Sequence, residues 1–164
     1  MKIILTLQLC VFLMFTVHSQ YEGNTSPSYP DLIKIYIDLA EKNTEIELYN
    51  MGQSDFGLPI YLCIINGAQD SIKSFDKARE STTLLINNAI HPGEPDGVNA
   101  CLIWINDWIL AGKKTKNLPV IGIIPAYNVG GMMNRSSSSR ANQDGPEEYG
   151  FRGNTQNLDL NRDF

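Results

Sequence analysis

Thr82-Thr83-Leu84-Leu85-Ile86-Asn87-Asn88 runs almost directly into His91-Pro92-Gly93-Glu94-Pro95-Asp96-Gly97, and a new apolar pattern starts at Val98. The first run reads as a strand. The residues Val98, Cys101, Leu102, Ile105, Trp108 and Ile109 then follow a helical period, with Gly112 placed to stop the helix. Leu118 to Pro125 is a short apolar run bounded by Pro119 and Pro125, and reads as a buried strand. Strand, helix, strand with long crossovers implies a mixed or parallel sheet with helices packed on it.

Upstream, Leu32, Ile33, Ile35, Tyr36, Leu39 and Ala40 recur at helical spacing, with Asp31 near the start. Glu45 to Asn50 and Leu58 to Ile65 read as two strands joined by a turn at Gly52 to Gly57. Downstream, Tyr127 to Gly153 is rich in Gly, Ser, Asn and charge, and is expected to be a long surface loop; such loops often carry function.

With 164 residues the chain has room for one domain with a sizeable core. Lys2, the apolar stretch Ile3 to Val17, and Val17-His18-Ser19 before Gln20 have the form of a secretory signal peptide. The stretch is too short and too interrupted by Thr6, Gln8 and Thr16 for a spanning helix. The expected organisation is a signal over 1–19, a polar linker over 20–30 and a domain over 31–164. The mature protein is expected to be secreted or periplasmic, with no membrane span. Cys10 leaves with the signal, and Cys63 and Cys101 lie in apolar runs that suit small buried residues. The net charge of −5, without a basic stripe beyond Lys113, Lys114 and Lys116, argues against nucleic acid as a partner.

The His91 segment falls on the turn after a strand, where open α/β sheets place their sites. His91 and Glu94 each precede a proline, which favours extended backbone and excludes the helical arrangement of His-Glu-x-x-His zinc sites. Zinc accepts both imidazole nitrogen and carboxylate oxygen, and a catalytic site takes three protein ligands plus water. His91 and Glu94 supply two. Alone, His-x-x-Glu is a common string.

Its context is Phe151-Arg152-Gly153-Asn154-Thr155-Gln156-Asn157-Leu158-Asp159-Leu160-Asn161-Arg162-Asp163-Phe164. With His91 and Glu94 ahead of it, this stretch resembles the zinc metallocarboxypeptidases, whose motif runs Gly-Arg-x-Asn, then Asp-Leu-Asn-Arg-Asn/Asp-Phe. The spacing from Arg152 to Asn161 is kept, whereas Pro125-Ala126-Tyr127-Asn128-Val129-Gly130-Gly131 departs from the family's Asn-Pro-Asp-Gly turn. The resemblance implies a three-layer α/β/α sandwich around a mixed, mostly parallel sheet. It implies a zinc-dependent hydrolase removing C-terminal amino acids from peptides or proteins, with His91 and Glu94 as metal ligands.

The same resemblance gives Arg162 and Asn161 the substrate's C-terminal carboxylate, Arg152 the developing oxyanion, and Asp159 the orientation of the ligand histidine. These roles suit the groups. A guanidinium donates parallel hydrogen bonds to a carboxylate, and a fixed cation stabilises charge that develops in the transition state. Arg135 and Arg140 flank the serine run and either could reach the site. The family's third ligand, a histidine, and its glutamate base follow the Asn-Arg pair, and His91 is the only histidine left once the signal is removed. The chain is therefore expected to be the N-terminal part of a catalytic domain, inactive and aggregation-prone alone. The alternatives are a related zinc amidohydrolase or deacylase, and a non-catalytic carboxylate-binding module.

Overall fold

The computed structural model describes residues 24–67, 74–113, 118–140 and 145–162. The signal segment, Lys114, Lys116 and the last two residues lie outside them. The first helix, α1 (Tyr29–Lys42), begins two residues before the expected Asp31. Ser28 is its cap, its hydroxyl accepting from Asp31 N at 3.4 Å, and Pro30 occupies the first turn, where a missing N–H costs nothing. The segment read as linker thus contributes Tyr29 to the core.

Strands β1 (Ile46–Gln53) and β2 (Pro59–Ile65) form the expected antiparallel hairpin. A short helix α2 (Ser74–Glu80) precedes β3 (Thr83–Asn87), α3 (Asp96–Leu110) and β4 (Val120–Ile124). The strands form one sheet in the order β1-β2-β4-β3. It is mixed, as expected, but only β3 and β4 run parallel; β1 with β2 and β2 with β4 are antiparallel. A sheet parallel for the most part is not what these four strands form. The tight turn between β1 and β2 dictates their opposition, whereas the α3 crossover returns the chain in the direction of β3.

Alternate residues of β2 and β4, Cys63 and Ile65 with Ile121 and Ile123, share one buried cluster with Leu32 and Tyr36 of α1 and Val98, Cys101 and Ile105 of α3. The period-two pattern of strands and the 3.6-residue stripe of helices meet there. Burying these side chains is the main force holding helix to sheet, and truncating one such as Leu32, fully buried, costs about 2–5 kcal/mol. Cys63 and Cys101 are free and buried, as expected of small apolar residues. Among the described residues no helix is long and apolar enough to cross a membrane.

The expected surface loop after β4 is instead partly core. It forms α4 (Val129–Met133), with Val129 and Met132 buried, and a ribbon of β5 (Arg135–Ser136) with β6 (Tyr149–Gly150). The cause is close backbone packing around a glycine. A Cβ on Gly131 would stand 2.5 Å from Phe151 O and 2.6 Å from Gly153 O.

Candidate metal centre and its surroundings

The parallel strands β3 and β4 end side by side, and their pairing continues into the loops: Tyr127 N donates to Asn88 O at 2.9 Å and Asn128 N to Ala89 O at 3.1 Å. Ala89 takes a left-handed conformation, φ 54°, which a side chain disfavours and which turns the chain out of the sheet. His91-Pro92-Gly93-Glu94 then closes on itself, Glu94 N donating to His91 O at 2.9 Å. Both candidate ligands are thereby held on one turn at the carboxyl edge of the parallel pair, the usual place for a site in such sheets.

His91 is buried, and its Nε2 lies 2.8 Å from Asp159 Oδ1. Asp159 also accepts from Asn161 N at 2.9 Å and, on Oδ2, from Arg152 Nε at 2.9 Å and Nη2 at 2.8 Å. The hydrogen bond with His91, then the Asn161 amide and the Arg152 guanidinium, hold this carboxyl well below the usual range. An ionised carboxylate only accepts, so this bond assigns a proton to Nε2, and it is the neutral ring that then carries its lone pair on Nδ1. That nitrogen faces Glu94, with Nδ1 and Oε1 3.5 Å apart.

This spacing fits a shared cation. Bonds of about 2.0–2.1 Å to one tetrahedral zinc ion place two ligand atoms about 3.3 Å apart. The ring nitrogen and the carboxylate oxygen are two of the three protein ligands a catalytic zinc takes, and the aspartate behind the ring orients the first of them. Among the described residues, no group of three or more His, Cys, Asp or Glu side chains could hold a metal. Glu94 Oε1 is bonded instead to Arg140 Nη1, and Arg152 Nη1 lies 3.9 Å away. The Arg140 bond is the main reason the Glu94 carboxyl titrates below its ordinary value.

The structure thus brings His91, Glu94, Asp159 and Arg152 together. Asn161 and Arg162 are exposed, Arg162 Nη1 donating to Asn161 O at 2.8 Å. Their side chains make no hydrogen bond or ion pair with His91, Glu94 or Arg152 among the described residues. The approach to them is built as a series of turns. Asn154 Oδ1 accepts from Gln156 N at 3.0 Å and Leu158 N at 2.9 Å, and Asp55 on the β1–β2 turn accepts from Thr155 N at 2.8 Å.

Two residues were not singled out from sequence. Asn128, buried, caps α4 by accepting from Gly131 N at 2.8 Å and donates to Arg152 O at 3.1 Å and Ile90 O at 3.4 Å. It ties the arginine segment to the histidine segment. Arg140 is the other, and Arg135, equally open from sequence, is not at the site. Its guanidinium is taken up by the carbonyls of Ser26, Pro27 and Glu148. Only the folded ribbon separates the two arginines.

A family model described as zinc carboxypeptidase matches residues 33–164. The chain belongs to the zinc carboxypeptidase family. Similar solved structures include bovine thrombin-activatable fibrinolysis inhibitor in complex with tick carboxypeptidase inhibitor, at 18% identity and TM-score 0.60 over 86% of this chain and 44% of that one. Carboxypeptidase A from Helicoverpa armigera matches at 16% identity and TM-score 0.54, over 68% and 26% of the two chains. A metallo-carboxypeptidase from Burkholderia cenocepacia matches at 17% and 0.53, over 84% and 33%. These identities show a shared α/β fold. The chain spans less than half the length of these solved structures, and no curated protein matches it.

Proposed function

We propose that this chain carries part of the active site of a secreted zinc carboxypeptidase that removes C-terminal amino acids from peptides or proteins. His91 Nδ1 and Glu94 hold the metal. Zinc, when bound, supplies Lewis acidity toward the scissile carbonyl and lowers the pKa of water. The observation that carries the reading is the Asp159–His91–Glu94 line, in which a carboxylate fixes the ring with its free nitrogen turned to the second ligand.

The other residues act on the peptide. Arg162 takes the terminal carboxylate through its exposed guanidinium, and Asn161 adds a neutral donor. Arg152, held on Asp159 through Nε and Nη2, keeps Nη1 for the oxyanion that forms at the carbonyl. Fixing the cation before reaction removes the cost of reorganising it during reaction.

The test is release of the free C-terminal residue from a blocked dipeptide by the full product of this gene, with and without a chelator. Activity that survives His91→Ala or metal removal contradicts the proposal. Saturable binding of a peptide carboxylate without zinc uptake or hydrolysis would favour the non-catalytic alternative.

A further inference from the structure

Arg140 stands at the metal pair without a role in the chemistry above. Its position is built rather than incidental. Its backbone carbonyl accepts from the hydroxyl of Tyr149 at 2.9 Å, and Tyr149 is itself buried on β6. Its aliphatic stem crosses Gly93, one of the two residues between the ligands. A Cβ at Gly93 would stand 2.8 Å from Arg140 Cδ, so the stem occupies the space that any side chain there would need.

Among the described residues, the guanidinium meets Glu94 on a single oxygen. Nη1 donates to Glu94 Oε1, and this is the oxygen that faces His91 Nδ1 at 3.5 Å. A donor on the other oxygen would support a ligating carboxylate. A donor on this one occupies the lone pairs a cation would use, and adds a positive charge where the cation must enter.

We propose that Arg140 is a displaceable latch on Glu94: it holds the oxygen that faces His91 Nδ1 and must release it for a cation to bind between the two. The proposal rests on the reading of His91 and Glu94 as a metal pair. Arg140 is a positioning residue, acting on the metal through Glu94. The side chains of Arg140 and Glu94 are 28% and 44% exposed, so solvent screens the pair and the latch is weak enough to open.

Zinc titrated calorimetrically into the purified chain tests this. Arg140→Gln and Arg140→Met, the second keeping an aliphatic stem over Gly93, are expected to bind zinc about fivefold more tightly than the parent chain. Arg140→Lys, which keeps a cation for Glu94, should stay close to the parent. Circular dichroism establishes that each variant is folded, and His91→Ala reports the heat not due to this site. Equal or weaker zinc binding in both neutral variants, with His91→Ala abolishing it throughout, overturns the latch and leaves the metal pair standing. Zinc uptake at His91 in none of the chains overturns both.

Discussion

Asn128→Ala is predicted to unfold the site's supporting structure at a cost that follows from its three hydrogen bonds. The side chain is almost fully buried, at 1% exposure. Losing the 2.8 Å acceptor for Gly131 N uncaps α4, worth about 1 kcal/mol. Losing the 3.1 Å donor leaves the Arg152 carbonyl short of a partner, worth about 1–2 kcal/mol where water cannot replace it. The 3.4 Å contact with Ile90 O is too long to add much. The sum is about 2–3 kcal/mol. Urea unfolding followed by fluorescence of Trp104 and Trp108 on α3 measures it. Asn128→Asp separates the parts, because it keeps the acceptor for Gly131 N but turns an oxygen toward two carbonyls. It should be no more stable than the alanine variant. A loss below about 0.5 kcal/mol for Asn128→Ala, or an aspartate variant as stable as the parent, would refute the reasoning.

Three further outcomes are expected. The Asp159 and Glu94 carboxyls have folded pKa values below their unfolded ones, so their stabilisation is complete above the unfolded carboxylate range near pH 4 and is lost as pH falls through the folded values. The urea midpoint should therefore fall on acidification below about pH 5, and Asp159→Asn should flatten that fall; an unchanged slope contradicts it. Strand β3 lies at the sheet edge with Leu84 and Leu85 exposed and no charge or proline to protect it, so light scattering should show concentration-dependent association that Leu85→Lys suppresses. A monodisperse parent chain would count against this. Burial pushes the Cys63 thiol up to about 12 and raises that of Cys101, so neither should react with a disulfide reagent at pH 8 until the chain is denatured, which a thiol assay with and without urea measures.

What could be read from sequence follows from where the physics is local. The stripe Val98, Cys101, Leu102, Ile105, Trp108 is the buried face of α3 because helical period alone selects it. The hairpin followed from two apolar runs around a glycine turn. By contrast, α2 has no apolar stripe in Ser74–Glu80, and α4 contains Gly130 and Gly131, which read as helix breakers. Its helix exists because Asn128 caps it and because backbone packs against Gly131, contacts made by residues far along the chain.

The site divides in the same way. His91, Glu94, Asp159 and Arg152 were legible as motif positions, and they meet in space. Which arginine of the pair Arg135 and Arg140 approaches Glu94 was not, since it depends on how β5 pairs with β6. The single parallel pair β3–β4 also matters more to the site than the direction of the remaining strands, because its carboxyl edge carries the His91 turn.

The most direct test of the central claim is the nitrogen-15 resonance of the His91 ring, recorded in a long-range proton–nitrogen spectrum of histidine-labelled chain at neutral pH, before and after zinc. The account predicts an Nε2 that keeps its proton on Asp159 throughout, and an Nδ1 whose resonance moves when zinc is added. Zinc perturbation of Nε2 instead, or a ring indifferent to zinc, would contradict it.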